Sequence, residues 1–293
     1  MRRNLLGLPA VLFTLACSGA APEPQAEAAN PDHPPDGFPV VVVDAAGVEH
    51  RFERPPSRII SLVPSATETL LALGVGPSLV ARTDFDTAAA VAHLPSVGGG
   101  IDPSLELLVV HEPDLIIHFL GPNSAGTANR FAEFGIPSLA IRPDGIDDVR
   151  RIIQLFGRVT GRAALADSLV RTIDATIRHV AEAVRGRPPV RVAFLLGGDA
   201  PYAAGPGSYV DQLLTLAGGQ NVFADLGQLY AQVSLESLVV RQIDVLLLPE
   251  GAKPPPGVDR TVRFVPESIQ FPGPRLGEAT LALAKILHPA AFP

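Results

Sequence analysis

Ser104-Leu105-Glu106-Leu107-Leu108-Val109-Val110 runs on to Asp114-Leu115-Ile116-Ile117, and 130 residues later Ser234-Leu235-Glu236-Ser237-Leu238-Val239-Val240 runs on to Asp244-Val245-Leu246-Leu247. Over the 15 aligned positions, 104–118 against 234–248, seven are identical. Each copy opens with a serine suited to cap a helix and closes in an apolar run of strand length, so both halves of the chain contain the same helix-to-strand unit. The stretch between the copies has a different period. From 162 to 185, Ala166, Leu169, Val170, Ile173, Ile177, Val180, Ala181 and Val184 recur at helical spacing, with Asp167/Arg171 and Asp174/Arg178 four residues apart on the opposite side. A helix of that length runs about 35 Å, enough to pass from one lobe to another. Gly186, Pro188 and Pro189 end it before a new strand begins at Val190.

The remaining β-branched runs are Val40–Val43, Arg58–Leu62, Asp114–His118, Ser138–Ile141, Val190–Leu196, Asp244–Leu248 and Thr261–Val265. Helical patterns separate them, which predicts an α/β fold with largely parallel sheets. The repeat predicts two similar lobes with a cleft between them: lobe one over about 38–160, a bridging helix over 162–185 and lobe two over about 188–293. A rigid bridging helix permits less hinge closure than a loop crossing would.

Arg2 and Arg3 precede an apolar stretch from Leu5 to Ala16, too short to span a membrane and of the length of a secretory signal core. Residues 1–17 are therefore expected to direct export. Cys17, the single cysteine, follows Thr14-Leu15-Ala16 in a segment similar to a bacterial lipobox. Lipidation of Cys17 is expected to anchor the protein, and plain signal cleavage is the other reading of the same residues. Residues 18–37 are rich in Pro, Ala and Glu and are expected to be a disordered linker.

Composition removes several classes. Of 293 residues, 47% are hydrophobic and 18% charged, so the chain can build sizeable cores. Its formal net charge of −7 contains no basic run, which argues against nucleic-acid binding. One cysteine excludes a disulfide framework and any multi-cysteine metal site. Gly98-Gly99-Gly100 and Gly197-Gly198 form neither a dinucleotide fingerprint nor a P-loop, and no serine lies in a nucleophile elbow. No catalytic residues and no catalytic cofactor are assigned.

The aromatics give a positive signal. Phe85 follows Leu79-Val80-Ala81, Phe119 follows Leu115-Ile116-Ile117-His118, Tyr202 follows the run ending at Leu196, and Tyr230 precedes the second repeat's helix. Ligands of parallel α/β sheets bind at the carboxyl ends of strands, so these four residues are expected to line a cleft for a flat or bulky organic ligand, against ordinary packing for any one of them. His118, at a strand end, is a weaker candidate for an axial metal ligand. Glu106 and Glu236 lie in the first turns of their helices, where a carboxylate stabilises the helix, and helix stabilisation accounts for them on physical grounds. Asp102-Pro103 reads as a cap with proline in the first turn, Ser234 as a cap, and Ser65-Ala66-Thr67-Glu68 as a capping box.

Arg58-Ile59-Ile60-Ser61-Leu62-Val63-Pro64-Ser65-Ala66-Thr67-Glu68 strongly resembles the opening of periplasmic binding proteins for cobalamin and iron chelates. The resemblance continues through Ser104-Leu105-Glu106, Pro113–Ile117, Gly218–Phe223 and Gly273-Pro274-Arg275-Leu276, and covers about residues 58–288. It implies two α/β lobes joined by one backbone helix, a periplasmic location and service to an ABC importer. By that resemblance Glu106 and Glu236 dock on the permease dimer, and Phe85, Phe119, Tyr202, Tyr230 and Glu267 contact the ligand. Cobalamin or a related corrinoid is the implied ligand, with haem or a ferric siderophore as alternatives. Phe119 and Tyr230 depart from the cobalamin-binding pattern, which usually has tryptophan at both positions.

Overall fold

The computed structural model describes residues 37–121, 124–196, 201–257, 260–266 and 269–292. The predicted export segment, Cys17, nearly all of the linker and Glu267 lie outside the described residues. Strands β1 (Val40–Val43) and β2 (Glu49–Phe52) form an antiparallel hairpin. Lobe one follows as β3 (Ile59–Ser61), α1 (Pro64–Ala72), β4 (Leu79–Ala81), α2 (Leu105–Val110), β5 (Leu115–Phe119), α3 (Ser124–Glu133) and β6 (Ser138–Ile141). Helices α4 (Ile146–Val159) and α5 (Ala163–Val184) lead to lobe two. That lobe comprises β7 (Val190–Leu196), β8 (Tyr202–Ala204), α6 (Tyr209–Leu216), β9 (Gly219–Asn221), β10 (Tyr230–Gln232), α7 (Leu235–Val240), β11 (Val245–Pro249), β12 (Thr261–Val265) and α8 (Leu276–Leu287).

The sheet of lobe one is parallel, in the order β4-β3-β5-β6. Lobe two repeats that order in β9-β7-β11-β12, again parallel. To this it adds an antiparallel arm: β8 pairs with the last residues of β7, and β10 pairs with β8. The fold is thus α/β with two similar lobes, as the repeat predicts. The arm was missed from sequence because its strands have three residues each and no two-residue alternation long enough to register.

Side-chain alternation along the strands sorts the core into three layers. Ile59, Leu115 and Ile117 of lobe one, with Val192, Phe194 and Leu247 of lobe two, point inward to a single apolar cluster shared with α1, α4, α5, α6 and α8. Ile60 and Ile116 point the other way, under Leu108 of α2 and Phe131 of α3. Ala193, Leu195, Leu246 and Leu248 do likewise beneath Leu238 of α7. Each repeat helix therefore covers the outer face of its own sheet, whereas the inner faces are joined into one core.

Helix α5 is the seam of that core. A Cβ on Gly157 of α4 would stand 2.4 Å from the Ala166 Cβ, and one on Gly277 of α8 would stand 3.2 Å from the Thr176 Cβ. At Gly157 only hydrogen fits without a shift, and at Gly277 a side chain would crowd α5, so both glycines let their helices pack closely on it. Asp174 is taken by Arg150 of α4 at 2.8 Å, so its salt link joins two helices instead of supporting the local Arg178 pair expected from spacing.

The repeated residues have matched structural roles. Ser104 and Ser234 cap α2 and α7 by accepting from the N–H of Leu107 and Ser237. This corrects the expected Asp102 cap, since Pro103 lies before the helix in a bridge to Gly98. The Asp114 carboxylate accepts from Ser57 N–H, Ser57 Oγ and Arg58 N–H at 2.8–2.9 Å, fastening the entry to β3 beside β5. Asp244 accepts from the Arg191 N–H at 2.8 Å and its guanidinium, fastening β7 beside β11 in the same way. Hydrogen bonds from Arg191 hold the Asp244 carboxyl below its ordinary pKa.

Candidate functional site

Segments that follow the carboxyl ends of strands in the two lobes meet through polar contacts. Arg275, just before α8, reaches Glu68 of α1 at 2.9 Å. Gln212 of α6 accepts from the Ile146 N–H at the start of α4 at 3.0 Å. The first contact corrects the predicted capping box: α1 begins at Pro64, no side chain caps it, and Glu68 is drawn across to lobe two. A proline at the first helical position already lacks the N–H that a cap would satisfy.

Four exposed aromatics stand where strand geometry places them. In lobe one, Phe85 is 66% exposed at the tip of a turn. The Thr83 N–H and Oγ1 both donate to buried Asp86 at 2.7 Å, so the turn is tied from inside while the ring is held out. The approach of Gly100 to the Leu62 carbonyl, where a Cβ would stand at 2.2 Å, packs the next loop beside this turn. Phe119 ends β5 and is 44% exposed, with Gly121 leaving room for its ring. In lobe two, Tyr202 and Tyr230 belong to the antiparallel arm, on β8 and β10, and both are exposed.

Tyr230 is more constrained than its exposed ring suggests. Its hydroxyl engages the Val210 N–H and the Ser208 side chain at the start of α6. Burial raises its pKa, these bonds oppose the rise, and the charge of Asp144, across in lobe one, adds to it. The phenol is therefore neutral and tied to the start of α6.

His118 behaves differently from its neighbour. Alternation along β5 turns it onto the outer face, where it is 4% exposed and edge-on to Phe131 at 5.8 Å. Burial lowers its pKa, against a hydrogen bond with the Phe119 carbonyl and the charge of Asp44. The axial-ligand expectation for His118 meets this geometry: the ring is packed into the outer layer of lobe one, not displayed with Phe119.

Two residues went unrecognised in the sequence. Phe271 is exposed on lobe two and, with Pro64, Ser65, Glu68 and Phe85, lines a small cavity between the lobes. Arg275 supplies the interlobe ion pair. Gly273-Pro274-Arg275-Leu276 carries part of the family resemblance, but nothing local to that run assigns Arg275 a partner in the other lobe or Phe271 a place between the lobes. A wider groove lies behind lobe one, among β1, β6 and α4, but Arg142, Arg151 and Arg158 there already bond Asp144, Asp148 and the Val41 carbonyl. Its cations are committed within the fold.

Glu106 and Glu236 are both exposed, each in the first turn of a helix on the outer face of its lobe. Ser104 N–H bonds the Val97 carbonyl, and Val233 N–H bonds the Pro201 carbonyl, so both helix starts lie toward the carboxyl ends of their sheets.

Two α/β lobes on one long helix, with exposed aromatic rings at the carboxyl ends of both sheets, define a two-lobed binding protein. The chain belongs to the periplasmic binding protein family, whose profile matches residues 59–253. That is a family of binding proteins rather than enzymes. A cobalamin-binding protein of Halobacterium salinarum is 32% identical over 250 residues, covering 81% of this chain. The chain spans 66% of that relative, just under two thirds of its length. Among solved structures, a periplasmic heme-binding protein from Roseiflexus matches with a TM-score of 0.71 and 26% identity, over 80% of this chain and 99% of that one. A periplasmic vitamin B12 binding protein of Vibrio cholerae matches with a TM-score of 0.70 and 23% identity, over 82% of this chain and 99% of that one.

Proposed function

We propose that this protein is the extracytoplasmic solute-binding component of an ABC importer, capturing a corrinoid between its lobes and delivering it to the permease. The observation that carries the reading is the set of exposed rings at the carboxyl ends of both sheets: Phe85 and Phe119 on one side, Tyr202, Tyr230 and Phe271 on the other. Rings on two opposed walls suit a large flat ligand, because stacking needs area without demanding a polar partner at each point. The cobalamin-binding relative favours a corrinoid over haem or a ferric siderophore, which neighbours of the same fold keep as the second reading. In this reading Glu267 adds a polar contact, Glu106 and Glu236 meet cations of a permease dimer, and Cys17 carries a lipid anchor at the membrane surface. Delivery then requires no catalytic residue.

Calorimetry with cyanocobalamin, haemin and ferric siderophores tests the ligand. Saturable binding of cyanocobalamin is expected, and replacing Phe119 or Tyr230 with Ala should weaken it by about 1–3 kcal/mol while thermal stability barely changes. Haemin binding without a corrinoid signal overturns the ligand assignment.

A further inference from the structure

The first helices of the two lobes carry a second, shorter match. Ser65-Ala66-Thr67-Glu68-Thr69-Leu70-Leu71 of α1 aligns with Ser208-Tyr209-Val210-Asp211-Gln212-Leu213-Leu214 of α6, which sets Glu68 over Asp211 and Pro64 over Gly207. Asp211 stays within its own lobe, accepting from the Gly207 N–H and from Asn221 Nδ2 at 2.9 Å each. Proline has no N–H, so α1 lacks the donor that holds this acid in α6, and Glu68 reaches across to Arg275 instead. Each first helix also meets the segment after the last parallel strand of the other lobe: α6 meets Gly145 and Ile146, and α1 meets Gly273 and Arg275. The lobes thus touch at corresponding places through different chemistry.

At the first place, the Gln212 amide is braced by the Gly207 carbonyl at 2.9 Å and accepts from the Ile146 N–H. It lies so close to Gly145 that a Cβ there would stand 2.6 Å from its nitrogen, and α6 packs on α4 alongside. At the second, α1 and α8 have no comparable packing, and the link is an ion pair whose carboxylate and guanidinium side chains are 27% and 48% exposed. Phe85 and Phe271 line the cavity beside it. We propose that the cleft opens on one side only: the Glu68–Arg275 pair is a clasp that parts to admit and release ligand beside Phe85 and Phe271, while the Gln212–Ile146 contact stays made as the hinge. An exposed ion pair holds weakly and is screened by salt, which suits a contact that must break at each capture and release. The nested neutral contact suits a hinge, because screening leaves it intact. The inference rests on the reading that ligand is held between the lobes.

The test follows the distance between spin labels on Val110→Cys and Val240→Cys, exposed sites on α2 and α7, in the exported chain carrying Cys17→Ser, together with cyanocobalamin kinetics. Raising salt from about 0.05 M to about 1 M shrinks the Debye length to about 3 Å and should broaden the wild-type distances toward longer separations. Glu68→Gln should show that breadth already at low salt and respond no further. At low salt cyanocobalamin should leave Glu68→Gln about two- to fivefold faster than wild type, and the two rates should converge at high salt. Arg275→Gln reaches the same pair from the other lobe, and the double variant should match either single one, because a pair broken once has nothing left to lose. Additive effects, or distances and rates that stay at wild-type values, overturn the proposal. Exchange of the Ile146 N–H should keep its wild-type rate in every variant; faster exchange would mean that the lobes part on both sides and would overturn the one-sided opening. Broadened distances without any cyanocobalamin binding support the clasp and defeat the ligand reading, whereas cyanocobalamin binding with unmoved distances and rates does the reverse.

Discussion

The two lobes share a parallel sheet of the same strand order, the same serine caps and the same aspartate fasteners, yet each is edged differently. Lobe one sets the β1–β2 hairpin against the edge of β6: the Asp44 carboxylate accepts from the Ala140 N–H at 3.1 Å, and the Ala45 N–H bonds the Ala140 carbonyl. Lobe two extends the far end of β7 into the β8–β10 arm, which carries Tyr202 and Tyr230. The additions differ in purpose because they lie at different places on the same plan. The hairpin closes a sheet edge that would otherwise expose unpaired backbone groups. The arm lies at a carboxyl end, where a wall can reach toward the opposite lobe.

The lobes also differ from their shared seam, and the largest expected effect probes that difference. Phe194 of β7 belongs to the inner core that spans both lobes, while Phe131 of α3 belongs to the outer core of lobe one alone. Either change to Ala should cost about 3–5 kcal/mol. Hydrogen exchange should show Phe194→Ala lowering protection in both sheets and Phe131→Ala lowering it mainly in β3–β6. Equal and global loss from both would mean that the layers are not separable.

A smaller effect compares the two fasteners. Asp114→Ala removes a carboxylate that accepts two backbone N–H groups and a hydroxyl, and should cost about 1–2 kcal/mol, because donors held at a strand entry lose a charged acceptor. Asp244→Ala breaks a bond set made mainly with the exposed Arg191 side chain and should cost less, with a difference from wild type that shrinks in salt. Urea midpoints at two salt concentrations check the ranking, and a larger cost at Asp244 would reverse it.

The smallest expected effect is a dependence on pH. His118 occupies the position that Leu248 fills in the second repeat. Burial keeps its folded pKa below the ordinary histidine value, so between the two values the unfolded chain holds a proton that the folded chain does not. Stability contributed this way is complete above about pH 6.5 and is lost as pH falls toward the lowered folded value. His118→Leu, which gives lobe one the residue of lobe two, should flatten the melting temperature between pH 7 and pH 5. An unchanged slope would place the acid sensitivity elsewhere. Asp44, whose hydrogen bonds from His50, Ala140 and Val48 outweigh burial and lower its pKa, acts only at more acidic pH.

What could be read from the chain and what could not divide along the range of the interactions. Helix α5, the parallel strands and the doubling of the plan were legible because period and repeat are local properties: a stripe at Ala166, Val170, Ile173 and Ile177 specifies one buried face whatever packs on it. The strand-end positions of Phe85 and Phe119 followed from the same reading. Tertiary structure alone decided the rest. Glu68 had the spacing of a cap and became half of an interlobe ion pair, because Arg275 arrives from 207 residues away. Tyr230 had the look of a loop residue and became the edge of a sheet, because its partner strand is a three-residue segment visible only in register. His118 and Phe119, adjacent in sequence, went to opposite faces of β5, and only the identity of the layers above and below made one a core residue and left the other exposed.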